Sequence, residues 1–299
     1  MTNKVSISIC ILTINRVDNL IKCICSFYEQ IENNFDFEII ILSNGSSFTS
    51  YSKITELYNQ FENIKIIKCD TNIGLSKGRN VLAEKAQKEW LFFLDDDAFL
   101  GTPYFLKTLQ EFINEQPEIG AIACNIIELK IPGKYYLPFS RKILNKMDLS
   151  KPCKCSYFLG GAHLIKSNLF KSIQGYNDLL FFSGEELDIS YKIIDNNEII
   201  WFHPELLVVH DKSEIKSITK SDRKKYELRN KIYLNHKYLP LKYSLISDII
   251  WVIKEIYSGL SFIDTLKAIK DGAKLSSPKT ILSTEAIKYL KKYHGRLYY

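Results

Sequence analysis

Trp90-Leu91-Phe92-Phe93-Leu94-Asp95-Asp96-Asp97 joins an unbroken apolar run to three consecutive carboxylates. Five large apolar residues in a row fit a strand covered on both faces, as in parallel sheets flanked by helices. The three carboxylates that end the run repel one another and call for a cation. On an extended chain Asp95 and Asp97 point the same way, and their hard oxygens suit Mg2+ or Mn2+. The competing reading is a solvated acidic turn that caps a following helix.

Upstream the same strand unit repeats. Val5, Ile7, Ile9 and Ile11 alternate with Ser6, Ser8 and Cys10, and the run ends at Thr13-Ile14-Asn15-Arg16 before a helical pattern from Val17 to about Ile31. FEIIILS (37–43) leads through NGSS to a helix near 49–60, and IKIIKC (64–69) leads through DTNIGLSKG to a helix near 76–87. WLFFL is then the fourth strand. The alternation predicts an α/β fold, a Rossmann-like, mostly parallel sheet with helices on both faces and functional loops at the carboxyl ends of its strands. Loops 13–16, 43–47 and 95–97 are therefore expected side by side.

Downstream the spacing predicts a helix over 103–116, a strand over 119–127, an irregular aromatic-rich segment over 131–160 and a short helix near 167–173. GEELD (184–188) opens a helix to about Asn196, and IIWFH and ELLVVH read as two further strands. From about residue 216 the chain is basic and helical with no further strand pattern, which reads as a separate C-terminal appendage.

Composition bounds the function. With 299 residues, 46% apolar and 13% aromatic, the chain has the make-up of a globular protein, which excludes disorder. The net charge of +6 favours acidic partners such as diphosphates or anionic lipid surfaces and is too small to argue for nucleic acid. Seven cysteines in apolar segments read as reduced thiols of a cytoplasmic protein, and the C-x-C at Cys153 and Cys155 completes no zinc set. The alternation after Lys4 reads as a strand, not a signal sequence. The apolar stretch 245–256 is interrupted by Asp248, Lys254 and Glu255 and is too short to span a bilayer core of about 30 Å. No G-x-G-x-x-G follows a strand, which excludes a dinucleotide oxidoreductase. The D-x-D of a haloacid dehalogenase-type phosphatase follows the first strand, whereas here it follows the fourth.

Taken in order over residues 5 to about 235, these features resemble a family 2 glycosyltransferase of the GT-A fold, in the rhamnosyl- and galactosyltransferase-like branch of bacterial surface-polysaccharide enzymes. The resemblance implies a nucleotide-sugar donor, a glycan or lipid-linked acceptor, and a Mn2+ or Mg2+ cofactor. From ILTINR it nominates Thr13, Asn15 and Arg16 for the donor. From LSNGSS it nominates Asn44, although Ser43 and Phe48 stand where acidic residues are usual. From NIGLSKGRN it nominates Asn72, Gly74, Lys77 and Arg79. Asp95 and Asp96 join the donor set, with Gly161 of the Gly160-Gly161 pair, and Asp95, Asp97 and His210 are the implied metal ligands.

GEELD resembles the family's acidic segment and implies Glu186 as general base, with Glu185 and Asp188 as rivals. The plainer alternative is that Ser183 and Glu186 form a capping box. His163 and His203 have weaker claims as ligands. YELRNKIYL resembles the R-N segment that follows the catalytic domain in that branch, which implies that Arg229 reaches an anionic acceptor or donor phosphate; the plainer alternative is a helix-surface arginine. The expected organisation is a catalytic domain over 1–215, with a nucleotide-binding half (1–100) and an acceptor half (101–215), followed by a helical region over 216–299. Residues 241–270 have apolar faces interrupted by lysines, which suits a peripheral contact at the inner face of the cell membrane or a homodimer contact, and ordinary packing on the catalytic domain explains the same pattern. The rival function is a non-catalytic nucleotide-sugar-binding or partner subunit.

Overall fold

The computed structural model describes residues 4–31, 35–116, 118–144, 147–212, 218–275, 278–295 and 297–298. Strands β1 (Ser6–Thr13), β2 (Asp36–Asn44), β3 (Ile64–Cys69) and β4 (Trp90–Asp95) alternate with helices α1 (Val17–Tyr28), α2 (Phe48–Thr55) and α3 (Leu75–Lys85). Next come β5 (Ala98–Leu100), α4 (Phe105–Glu115), β6 (Ala121–Glu128), β7 (Tyr135–Tyr136), α5 (Arg141–Leu144), β8 (Cys153–Cys155) and β9 (Ala162–Lys166). The chain continues through α6 (Ser167–Ser172), α7 (Glu185–Asp195) and β10 (Ile200–His210) to α8 (Lys220–Tyr238), α9 (Leu241–Tyr257), α10 (Phe262–Lys274) and α11 (Thr284–Lys292).

One sheet runs in the order β3-β2-β1-β4-β9-β6-β10-β5, with β7 added to β6 and β8 to β10. Strands β1 to β4 are mutually parallel where they pair, and β10 is parallel to β6, while β9 lies antiparallel between β4 and β6. The register aligns the carboxyl ends: Thr13 faces Ser43, Ser43 faces Lys68, and Leu12 faces Asp95. The three expected loops therefore open on one edge of the sheet.

Alternation sorts the strand side chains between two layers. Ile7, Ile9 and Ile11 of β1 pack with Leu20, Ile24 and Phe27 of α1, whose three- and four-residue spacing makes one apolar stripe. Cys10 points the other way, into the layer of Leu82, Phe93 and Tyr176. Full burial of each large apolar side chain contributes about 1.5–3 kcal/mol.

Three differences from the sequence reading have local causes. β5, β8 and β9 are too short to show a period and exist because neighbouring strands complete them. IIWFH and ELLVVH form one strand whose register on β6 shifts between His203 and Leu207, around Pro204, which cannot donate to the ladder. The C-terminal helices do not stand apart from the sheet: Tyr233, Leu234 and Tyr238 of α8 and Ala286 and Leu290 of α11 share a core with α7, and the Tyr289 hydroxyl donates to the Cys155 carbonyl at 2.9 Å. The expected boundary at 215/216 lies outside the described residues.

Candidate active site

The acidic end of β4 meets the end of β10 because β5 turns back along it. Ala98 faces His210, and the Asp211 amide donates to the Asp97 carbonyl at 2.8 Å. His210 Nε2 thus lies 3.0 Å from Asp97 Oδ1. Asp95, Asp97 and His210 offer one ligand atom each within 4.8 Å of one another, the one such group among the described residues, and no cysteine belongs to it. Two carboxylates and an imidazole fit Mn2+, and the carboxylates also fit Mg2+.

Charge around this group is balanced by Arg16, whose Nη1 lies 2.9 Å from Asp97 and Nη2 2.7 Å from Asp96. Burial pulls the His210 imidazole down, but the hydrogen bond to Asp97 and the charges of Asp95, Asp97 and Glu128 outweigh it and leave the group above its ordinary value. Asp96 is fully buried, and desolvation, opposed by Arg16, pushes its carboxyl up to about 7. Asp96 is not among the residues that line the cleft described next.

On the donor side, Asn44 is buried and pins the neighbouring loop. Its Nδ2 donates to Asn72 Oδ1 at 3.1 Å, and its Oδ1 accepts from the Ile73 amide at 3.0 Å. Gly74 has φ +87°, and a Cβ there would meet Phe181 at 2.6 Å, so only glycine lets this loop pass. Asn44, Asn72, Gly74, Asp95, Asp97 and His210 line one cleft, together with Arg16. Thr13 does not join them, because it is fully buried in the sheet. Asn15 is exposed with φ +57°, and its Oδ1 accepts from the Ser47 amide at 2.8 Å, which ties two loops together. Lys77 sits exposed on α3 and lines none of the cleft.

Arg79 is buried behind the cleft and joins three segments. Its Nη2 donates to the Gly160 carbonyl at 2.7 Å and lies 3.4 Å from Asp95, and its Nη1 lies 3.2 Å from Glu185. Burial works against this guanidinium's charge, and Tyr176, Glu185 and Asp95 more than offset it. Glu185 is almost fully buried, and desolvation, then the Glu186 charge, raise its carboxyl to about 8 against the pull of Arg79. Glu186 is only partly buried. Its Oε1 lies where a Cβ on Gly160 would be 2.4 Å away, while Asp95 Oδ2 lies 3.4 Å from the same point on Gly161.

Two expectations about this helix fail. The capping box does not form: Ser183 (φ +67°) and Gly184 (φ +88°) turn sharply, and the N-cap is Gly184 with no side-chain cap bond. Asp188 points into the core, where it accepts from the Tyr238 hydroxyl at 2.8 Å and lies 3.2 Å from both Lys192 and Lys237. It is not among the residues that line the cleft.

His163, His203 and Arg229 are not among the residues that line the cleft. His163 stacks between Phe93 and Phe158 and bonds to the Leu159 carbonyl and Tyr176 hydroxyl. His203 packs edge-on against Phe112, and burial lowers it to about 4. Arg229 donates to Asn230 and to the Leu179 carbonyl. The cleft also recruits Phe181, Phe182, Lys212 and Arg223, which sequence reasoning missed. Arg223 lies over the Phe182 ring; the pair of aromatics just before the acidic run was its one visible signal.

A family model described as Glycosyl transferase family 2 matches residues 8–174. The abequosyltransferase RfbV of Salmonella typhimurium is 25% identical over 197 residues, or 62% of this chain and 58% of that protein. An uncharacterized glycosyltransferase of Haemophilus influenzae is 29% identical over 90 residues, 30% of this chain and 34% of its own length. The match thus spans less than two thirds of either relative. Among solved structures, GalNAc-T7 with UDP, GalNAc and Mn2+ superposes with a TM-score of 0.63 at 17% identity, covering 93% of this chain and 59% of that one. Staphylococcus aureus TarS 1–349 in complex with UDP-GlcNAc gives 0.62 at 18% identity, covering 90% and 80%. The fold of these neighbours is the GT-A fold, and with the family model matching more than half of its length the chain belongs to glycosyl transferase family 2.

Proposed function

We propose that the protein is a metal-dependent, inverting glycosyltransferase that moves one sugar from a nucleoside-diphosphate sugar to a hydroxyl of a glycan or lipid-linked acceptor in bacterial surface-polysaccharide synthesis. The observation that carries this reading is the pair Gly160-Gly161. Glu186 stands against the first glycine and Asp95 against the second, so a carboxylate able to take a proton and the acidic end of the donor cleft are one residue apart.

In this reading Asn44 and Asn72 shape the nucleotide end, and Asp95, Asp97 and His210 hold Mn2+ or Mg2+. An ion held there would supply positive charge to offset the charge of the departing diphosphate. Glu186 takes the acceptor's hydroxyl proton as that oxygen bonds to the anomeric carbon. The bond from that carbon to the diphosphate oxygen breaks, its electron pair leaves with the nucleotide, and the configuration inverts. Arg79 is a positioning residue that fixes Gly160 and Glu185, and so the floor against which Glu186 rests.

The test is a panel of UDP-, GDP- and dTDP-sugars with Mn2+, scored by release of free nucleotide before and after EDTA. Release with one donor, lost with EDTA and restored by Mn2+, supports the proposal. Nucleotide binding by thermal shift without turnover of any donor would return the chain to a non-catalytic role.

A further inference from the structure

Helix α9 packs inward through Tyr243, Trp251 and Val252 yet turns most of its other apolar side chains outward. Its buried side chains are Ser244, Ser247 and Glu255, while Leu241, Leu245, Ile246, Ile249, Ile253 and Ile256 are exposed, Leu241 by 73%. A helix on a globular surface normally does the reverse. Specific bonds hold the inward face on α8: Asp248 accepts from Asn235 at 2.7 Å and pairs with His236 at 2.8 Å. The pattern continues into the next helix, where Tyr257 is 89% exposed and Phe262, Ile263 and Leu266 are also exposed. Both helices pack on α8, so their outer faces form one apolar surface of the kind that marks a contact with an apolar partner.

Charge selects the partner. Residues 218–299 hold 17 Lys and Arg against seven Asp and Glu, although the whole chain is only +6, so the remainder is net negative. Lys242, Lys267, Lys270 and Lys274 are exposed beside the apolar side chains. Of the nearby acids, Asp248 and Glu255 face inward as described, Asp264 is bound by Ser261 and by Lys225 at 3.2 Å, and the exposed Asp271 stands against the four exposed lysines. A second copy would bring like-charged surfaces together, whereas an anionic bilayer complements both the apolar and the basic side chains. We propose that α9 and α10 seat the protein on an anionic lipid surface, with the Leu, Ile, Phe and Tyr side chains at the acyl boundary and the lysines among the headgroups. The contact is peripheral, since among the described residues no helix is long and apolar enough to cross a membrane. Because α8 also carries Arg223 into the donor cleft, the lipid-facing helices are packed on an element of that cleft.

The experiment is co-sedimentation of the full chain with vesicles of phosphatidylcholine alone and of an equimolar mixture with phosphatidylglycerol. Binding to the mixed vesicles should exceed binding to the neutral ones by at least about tenfold, given four exposed lysines. It should weaken as NaCl rises from about 0.1 to about 1 M, which shortens the Debye length from about 10 to about 3 Å. The double variant Ile249→Asp/Ile253→Asp changes exposed positions and should melt as wild type does while losing vesicle binding. Lys267→Glu/Lys270→Glu should lose only the preference for phosphatidylglycerol. Absence of binding to the anionic vesicles overturns the proposal, as does a dimer in sedimentation velocity that Ile249→Asp/Ile253→Asp dissolves while vesicles stay unbound.

Discussion

Arg16 places Nη1 2.9 Å from Oδ2 of Asp97, so a positive charge already rests on the carboxylate assigned to the metal. A divalent cation at Asp97 has to share or replace that contact, and it does so only if the carboxylate is ionised. Asp97→Asn keeps the shape and removes the charge. Titration calorimetry should show Mn2+ affinity reduced by at least about tenfold, roughly 1.4 kcal/mol, with Mn2+-dependent nucleotide binding lost. Unchanged Mn2+ affinity would remove Asp97 from the metal site.

Glu186→Gln separates chemistry from architecture. No side chain caps α7, and Glu186 is only partly buried, so melting temperature and donor affinity should stay near wild type. Loss of a positioned base costs about a hundredfold to ten-thousandfold in rate, and sugar transfer should fall by that much. Near-normal transfer would move the base to Glu185.

The two adjacent glycines predict unequal effects. A methyl on Gly160 would sit 2.4 Å from Glu186 Oε1 and 3.3 Å from Arg79 Nη2, while one on Gly161 meets nothing closer than Asp95 Oδ2 at 3.4 Å. Glu186 can relieve the first clash by moving its carboxylate, which leaves stability nearly unchanged and displaces the base. A misplacement of about 1 Å can cost about a hundredfold. Gly160→Ala should therefore lose kcat much more than Gly161→Ala, and equal kcat values for the two would contradict the placement of Glu186.

The four parallel strands and their loops were legible because β1 to β4 are each at least six residues of period-two or continuous apolar sequence. The D-D-D and the acidic helix start were legible because their chemistry is local. β9, only AHLIK, was not, since its place between β4 and β6 depends on partners far along the chain. The same holds for the roles of Arg223, carried into the cleft by α8, and of Asp188, whose partners Lys237 and Tyr238 lie on that helix. Thr13 and Asn15 were placed by motif, but a motif does not say which side chains a strand end turns inward.

Asp188→Asn tests the structural role. The fully buried carboxylate serves Tyr238, Lys192 and Lys237, and breaking a buried ion pair from one side costs about 3–5 kcal/mol. Urea midpoints should drop accordingly, while the folded fraction at low temperature keeps near wild-type kcat. Loss of kcat without loss of stability would restore Asp188 to the catalytic set.

Glu185 supplies the pH prediction. Burial first, and the Glu186 charge second, raise its folded value to about 8 from an ordinary 4.5, with Arg79 opposing. A carboxyl raised on folding binds its proton more tightly in the native state, so stability falls with pH wherever the native state holds more protons than the unfolded one. The contribution is complete below the ordinary value and disappears as pH rises through about 8. Glu185→Gln removes the titration and leaves Arg79 its bond to the Gly160 carbonyl at 2.7 Å. Urea denaturation between about pH 5 and about pH 8.5 should show wild type losing stability relative to Glu185→Gln as pH rises. If the difference between wild type and the variant instead stays flat over that range, the attraction of Arg79 exceeds the cost of burial, and Glu185 is already an ionised partner that stabilises the floor of the site.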